Sequence, residues 1–329
     1  MIYLDQRATG TYGIARFSNE VGLRAHNSQK FIGHGNPFSP LDPFLLHYFL
    51  PKDAEFFIST NISGPFLGKI PYAICIHDLV QLDLPEFFPV FKRLYFKSIT
   101  RLIASRARII FTVSDFSKQR IIAHFGIPTE KIVVLGNAAG KIFHPKPVFY
   151  TKKHEFKYFL NYSSSKNYKN LQNIIDAYKN IEHMVEEKLV IIGSSYGLSI
   201  PSLPHGRIQF FPQISDYDLR DYINDASAVV FTSLYEGFGI PIIEAFACDC
   251  LVITSNTAAM PEVADNAAIL VDPYDVTKIS EAMVFVSKIT PENKRDFVLK
   301  GRLIACRYSY DLIAQKLFQS VKESIKQSS

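Results

Sequence analysis

The chain has 329 residues, more than one compact core usually spans, so two domains are expected. Hydrophobic residues make up 47% and charged residues 20%, with a net charge of +5, which excludes a disordered or collagen-like chain. No run of about 18 apolar residues occurs, so no membrane-spanning helix is expected.

The charge is unevenly placed. Residues 1–145 hold 16 Lys/Arg against 10 Asp/Glu, and residues 146–329 hold 20 against 21. A basic first half suits an anionic partner: a phosphate, a lipid head group or nucleic acid. The four cysteines, Cys75, Cys248, Cys250 and Cys306, show no zinc spacing, and Cys248 and Cys250 are too close for an easy bridge. They read as reduced thiols of a cytoplasmic protein.

In chain order, MIYLDQRATG reads as a strand and a loop rather than a signal peptide. AEFFIST, YAICIHDL and RIIFTVS follow as buried strands. Before the last of them, FFPVFKRLYFKSITRLIASRAR reads as a helix. It carries Lys92, Arg93, Lys97, Arg101, Arg106 and Arg108 among Phe88, Phe91, Leu94, Tyr95 and Phe96. Such a mixture fits a helix at a membrane surface or against a lipid pyrophosphate, and equally a helix with one buried and one solvated face. No recognition motif for nucleic acid accompanies the charge, so nucleic acid is not expected as a partner. Ser114 caps DFSKQRIIAHF, which stops at Gly126 with Pro128 beyond.

NAAGKIFHPKPVFYTKKHE, residues 137–155, has little periodicity and reads as the interdomain linker. Beyond it YFLNY, KLVIIGSS, IQFFP, AVVFTS and CLVITS read as strands, and LRDYINDA and ISEAMVFVSK as helices. Asp216 to Asp218 has the Asp-x-Asp form of metal-dependent transferases of another fold. However, Ser215 and Asp216 open a helix, so capping explains them and no metal is expected. The tail SYDLIAQKLFQSVKESIKQ reads as one amphipathic helix with Leu312, Ile313, Leu317 and Val321 on one side. The alternation implies two doubly wound α/β domains, with ligands outside the carboxyl ends of the strands.

SLYEGFGIPIIEAF, Ser233 to Phe246, carries the most chemistry. It follows the strand AVVFTS. Pro241 suits the first position of a helix, Glu244 falls in about the first turn, and Glu236 lies in the loop before it. Gly237 and Gly239 allow unusual backbone angles and close approach of a ligand. The helix start offers unpaired N–H groups and a positive dipole end, which attract phosphate near Gly239 and Ile240. Glu244 is then able to bind hydroxyls such as those of a ribose, with Glu236 on the other side of the phosphate.

EGFGIPIIEAF resembles the Glu–seven residues–Glu signature of retaining glycosyltransferases of family 4, which have the GT-B architecture. CLVITSNTAAMPEVADNAAILVDPYD and FPQISDYDLRDYINDASAVVFTSLYEGFG continue the likeness, which covers nearly the whole chain. It implies two Rossmann-like domains facing across a cleft: an acceptor-side domain at residues 1–145 and a nucleotide-sugar domain at 146–308. A helix at 309–329 then returns to the first domain. Glu244 is implied to bind the donor ribose and Glu236 the donor sugar, with the backbone of Phe238, Gly239 and Ile240 holding sugar and phosphates. ATGTYGIARFSNEV resembles the family's glycine turn, so Gly13 approaches the donor diphosphate and Arg16 begins the next helix on the acceptor side. CIHDLVQLDLPEFF resembles the His-Asp-Leu segment of mannosyl- and related transferases, placing His77 toward the donor sugar. In YFLNYSSSKNYKNL, Ser163 and Ser164 stand where the family pattern has glycine and then Arg or a small residue. Lys169 is the candidate for neutralising the leaving diphosphate, and Lys166 stands in for the missing Arg.

The expected activity is transfer of a hexose, mannose first, from a nucleotide sugar to a glycan or lipid-linked acceptor in polysaccharide or lipopolysaccharide assembly. Configuration is retained, no cofactor is used, and GDP-mannose is the first donor with a UDP-sugar as the second. Lys92, Arg93 and Lys97 mark the acceptor side and a peripheral contact with the inner membrane surface. The alternative is a catalytically silent GT-B partner subunit. A third reading, an NAD-dependent oxidoreductase, lacks the Gly-x-Gly-x-x-Gly fingerprint after the first strand.

Overall fold

The structure is a computed structural model that describes all residues except 9, 11–12, 27, 34, 148–154, 163–165, 194–205 and 328–329. Ser163 and Ser164 therefore lie outside the described residues. The chain folds as two compact units, Met1–Asn137 with Ser309–Ser329, and Ala138–Tyr308.

In the first unit, six described strands form a parallel sheet: β1 (Ile2–Asp5), β2 (Gln29–Phe31), β3 (Phe56–Ile58), β4 (Tyr72–Cys75), β5 (Ile109–Thr112) and β6 (Ile132–Val134). Their order is β2-β1-β3-β4-β5-β6. Strands β3, β4 and β5 are buried throughout, as a parallel sheet covered on both faces requires. Helices α1 (Gly13–Gly22), α2 (Asp42–Phe49), α3 (Val80–Asp83), α4 (Val90–Tyr95), α5 (Arg101–Arg106) and α6 (Asp115–Phe125) connect them. A π-type turn over Phe96–Thr100 joins α4 to α5, so the basic segment is one continuous helical run. The α6 boundaries follow from chemistry. Ser114 accepts the Ser117 N–H, and Gly126 closes the helix in the left-handed conformation at φ 66°.

The second unit repeats the pattern with β7 (Tyr158–Tyr162), β8 (Lys188–Ile192), β9 (Ile208–Phe211), β10 (Ala228–Phe231), β11 (Val252–Ser255) and β12 (Ile269–Val271). The order is β12-β11-β10-β7-β8-β9, again parallel. Its helices are α7 (Leu171–Ile181), α8 (Asp216–Asp225), α9 (Ile240–Ala247), α10 (Met260–Ala264), α11 (Val276–Ser287) and α12 (Pro291–Arg307). Phe159, Leu189, Val230 and Ile253 from the sheet meet Ile174, Tyr178 and Met283 from α7 and α11 in one core.

The last helix, α13 (Tyr310–Lys326), belongs to the first unit. It buries Tyr310, Ile313, Ala314, Leu317 and Val321, and the Tyr310 hydroxyl donates to Asn137 Oδ1 at 3.0 Å. Leu312 departs from the expected stripe and is 54% exposed. The buried stripe runs through 313, 317 and 321, and residue 312 is turned about 100° away from it.

Helix α12 crosses α9 at Gly301, where an added Cβ would stand 2.7 Å from the Phe246 ring. Phe246 is buried, so its ring or the helix must shift to admit the methyl. Gly301→Ala is therefore expected to destabilise the protein by about 1–3 kcal/mol, read as a lower thermal unfolding midpoint. An unchanged midpoint would show that the contact relaxes freely.

Candidate functional site

The strand order of the second unit reverses between β7 and β10, which lie side by side. Crossovers from these two strands leave on opposite faces, and a crevice opens at their carboxyl ends. The candidate residues come from the segments that follow the two strands.

After β7, a short helical turn over Asn167–Lys169 ends at Asn170, which is left-handed at φ 62°. Asn tolerates that conformation better than most residues. Its buried Nδ2 donates to the carbonyls of Thr232 (2.9 Å) and Pro273 (2.7 Å). The turn is thereby fixed to the β10 end and to the loop after β12. The backbone adds a second tie, Leu234 N–H to the Tyr168 carbonyl at 2.8 Å.

These ties place Lys169 Nζ 2.5 Å from Glu236 Oε1, with only 17% and 15% of the two side chains exposed. The ammonium also lies over the rings of Tyr168 (5.4 Å) and Phe231 (5.8 Å). Lys166 is exposed, with its ammonium 5.7 Å from the Tyr168 ring.

The loop after β10 carries Gly237 and Phe238, both buried. Phe238 meets Tyr308 edge-on at 5.1 Å, which anchors the loop. Gly239 precedes α9 at φ 103°, a conformation that favours glycine, and an added Cβ there would meet Ile242 at 3.0 Å. Helix α9 begins at Ile240, so Pro241 occupies its second position rather than the first, and Glu244 opens the second turn.

Glu244 is 3% exposed. The Tyr162 hydroxyl, at the end of β7, stands 3.1 Å from Glu244 Oε2 and 3.1 Å from the Pro241 carbonyl, so its single hydrogen is shared between two acceptors. Burial, and then the charge of Glu244, push the Tyr162 pKa well above its usual value and keep the phenol protonated as a donor. Sequence reasoning missed Tyr162. The usable signal was that a carboxylate inside an apolar helix needs a donor from a neighbouring strand.

The remaining candidates lie in the first unit. Gly13 is the first residue of α1 at φ 57°. Arg16 is 7% exposed, buried on α1 rather than displayed. His77 follows β4, with its ring edge-on to Phe17 at 5.0 Å. Its Nε2 stands 3.0 Å from the Thr60 carbonyl. A carbonyl only accepts, so Nε2 carries the hydrogen and the neutral ring keeps a lone pair at Nδ1. Burial lowers the His77 pKa from 6.5, against the opposing pull of the Thr60 carbonyl and Asp78. Lys92, Arg93 and Lys97 lie on the helical run beside exposed Val90, Phe91 and Leu94. Lys97 also edges a hollow of about 610 Å³ shared with Arg101, Lys131, Leu102, Phe125 and Ile127.

Asp216 and Asp218 lie in the first turn of α8, which Ser215 caps: Ser215 Oγ accepts the Asp218 N–H and donates to Asp218 Oδ2 at 2.7 Å. Among the described residues no three His, Cys, Asp or Glu side chains cluster as a metal site, and no helix is long and apolar enough to cross a membrane.

Two family models match the chain: Glycosyl transferases group 1 over residues 145–302, and Glycosyltransferase Family 4 over residues 42–139. O-antigen chain mannosyltransferase B of Escherichia coli is 30% identical over 220 residues, which cover 62% of this chain and 58% of that protein. O-antigen chain mannosyltransferase RfbU of Salmonella typhimurium is 27% identical, covering 76% and 69%. The match thus spans little more than half of the E. coli relative. Among solved structures, sucrose-phosphate synthase from Thermosynechococcus elongatus is similar with a TM-score of 0.76, 15% identity and coverage of 100% and 99%. Anabaena HepE in complex with UDP and glucose gives 0.75, 15%, 98% and 99%. The fold is GT-B.

Two outcomes are expected. Tyr162→Phe removes a hydrogen bond to a buried carboxylate and lowers stability by about 1–3 kcal/mol in urea unfolding. The loss shrinks in a Glu244→Gln background, where the charge is gone. His77 has a folded pKa below its unfolded value of 6.5, so the stability of the neutral ring is full above that pH and is lost as the pH falls through the folded value. His77→Gln keeps a donor for Thr60 and does not charge. Its unfolding midpoint is therefore expected to fall less than wild type between about pH 7 and 5. A parallel decline in both proteins would remove His77 as the cause.

Proposed function

Because the chain belongs to the family of glycosyl transferases group 1 and family 4, we propose that it is a retaining glycosyltransferase. In this reading it transfers a hexose, mannose first, from a nucleotide sugar to a glycan or lipid-linked saccharide during polysaccharide or lipopolysaccharide assembly. The observation that carries the reading is the meeting of Lys169 and Glu236 at the β7/β10 crevice, with the start of α9 and buried Glu244 beside them. The names of the O-antigen mannosyltransferase relatives favour mannose, and therefore GDP-mannose, over the UDP-sugar suggested by HepE.

The chemistry follows from charge. Departure of a nucleoside diphosphate builds negative charge on its β-phosphate and positive charge on the sugar. Lys169 and the first N–H groups of α9 stabilise the phosphate. Glu236 acts on the sugar hydroxyls, and Glu244, its geometry set by Tyr162, on the ribose. Gly13 lets the backbone approach the diphosphate. No carboxylate takes the role of covalent nucleophile, and the leaving phosphate oxygen accepts the proton of the attacking hydroxyl. The reaction needs no metal and no cofactor. His77, neutral with a lone pair at Nδ1, accepts from a sugar hydroxyl. The Lys92, Arg93 and Lys97 face, with Phe91 73% exposed, meets the anionic surface of the inner membrane from the cytoplasmic side.

The silent-subunit reading retains one supporting observation: Ser163 and Ser164 replace the usual glycine and its neighbour. The deciding experiment is transfer from radiolabelled GDP-mannose and UDP-sugars to membrane lipid extracts and oligosaccharides. Glu244→Ala is expected to weaken donor binding by at least about tenfold, and Lys169→Ala to lower kcat by about 100-fold. Full activity in both variants would overturn the site. No donor binding in the wild type would favour the silent subunit.

A further inference from the structure

The close pair of Lys169 and Glu236 has a consequence for product release. Both groups stand on segments tied down without any ligand: Asn170 to Thr232 and Pro273, Leu234 to Tyr168, and the Ala259 N–H to the Glu236 carbonyl at 3.4 Å. Among the described residues Glu236 is the only carboxylate within ion-pair distance of Lys169. The rings of Tyr168 and Phe231 flank the ammonium and offer no other anion. Lys169 Nζ is thus paired with Glu236 Oε1 at 2.5 Å by contacts of the protein alone.

We propose that Glu236 is an internal competitor for Lys169 that discriminates intact donor from spent nucleotide. This rests on the nucleotide-sugar reading of the same site. An intact donor brings phosphate oxygens for Lys169 and sugar hydroxyls for Glu236, so both members of the pair find new partners. A nucleoside diphosphate brings only the phosphates. Lys169 must then leave Glu236, and a largely buried carboxylate stays behind with no donor in exchange. If Lys169 instead held both, carboxylate and phosphate would be brought together with like charges opposed. Either way the pair weakens binding of the product and spares the donor. Loss of the sugar to the acceptor itself restores the competitor, and the leaving nucleotide is expelled by the residue that had held the sugar.

The test is calorimetric titration of GDP, with UDP in parallel, and of GDP-mannose, into wild type, Glu236→Gln, Lys169→Met and the double variant. Glu236→Gln keeps the shape and removes the charge. It is expected to bind the nucleoside diphosphate about fivefold tighter than wild type, while GDP-mannose binds no tighter. A merely structural role for Glu236 predicts weaker binding of both. In the Lys169→Met background the same substitution is expected to change affinity by less than about twofold, because nothing is left to compete for. Equal tightening in both backgrounds would mean a general field effect and would overturn the competition, as would no tightening in the single variant. If wild type binds neither GDP nor UDP, the nucleotide-sugar reading falls first and this inference with it.

Discussion

The parallel pairing of β7 with β10 is the constraint from which the chemistry of the second unit follows. The paired residues Leu160 and Val229 are 69 positions apart, with β8 and β9 between them in the chain, yet the two strands share a ladder and end together. Their following segments leave on opposite faces, so side chains from distant stretches of sequence converge without any long loop. Lys169 comes from one segment and Glu236 from the other. Tyr162 ends the first strand and reaches Glu244 on the helix that follows the second. A slip in this pairing would separate both couples at once.

Several arginines of the first unit are matched by carboxylates. In the first unit Arg7, 3% exposed at the side chain, is held by Asp5 and Asp42. Arg24 pairs with Glu20 and Asp311, and Arg120 with Asp83. The excess positive charge of the first half is therefore not spread evenly over its surface. Arg7 is internal structure, and Arg24 ties α1 to α13. The basic residues with no carboxylate within ion-pair distance among the described residues include Lys92, Arg93, Lys97 and Arg101, all on one helical run beside exposed apolar side chains. Lys30, Lys52, Lys69, Lys118 and Lys131 are likewise without a carboxylate at ion-pair distance among the described residues, so what sets the 92–101 run apart is its exposed apolar neighbours.

The sequence made the two doubly wound units legible because buried parallel strands are continuous apolar runs, and these stand out by length and by the turns that bound them. YFLNY and AVVFTS are examples, and Ser114, Gly126 and Ser215 mark helix ends by their capping chemistry. Contacts that need three dimensions were not legible. Nothing in the spacing of Lys169 and Glu236 states that they touch, and nothing local marks Tyr162 as the partner of Glu244. Leu312 was misplaced because a helix face was assigned by hydrophobicity rather than by angle, whereas burial follows the 3.6-residue repeat. Asn170 was visible only as a neighbour of Lys169; its left-handed conformation and its two carbonyl contacts explain why an Asn stands there.

Where the family pattern has glycine and then Arg or a small residue, this chain has Ser163 and Ser164, which leaves two kinds of phosphate attraction to compare. The start of α9 offers backbone N–H groups whose partial charge is fixed by the helix and cannot be withdrawn. Lys169 offers a full charge, but one that is paired with Glu236 at 2.5 Å. Lys166 is exposed, with its ammonium 5.7 Å from the Tyr168 ring. With an arginine in the pattern a second full charge would hold phosphate whether or not a sugar was attached. Without it, and on the proposed reading, retention of a nucleotide depends on the fixed dipole plus a lysine released only when another group satisfies Glu236. On the proposed reading, selectivity for the intact donor follows from having fewer cations at the site.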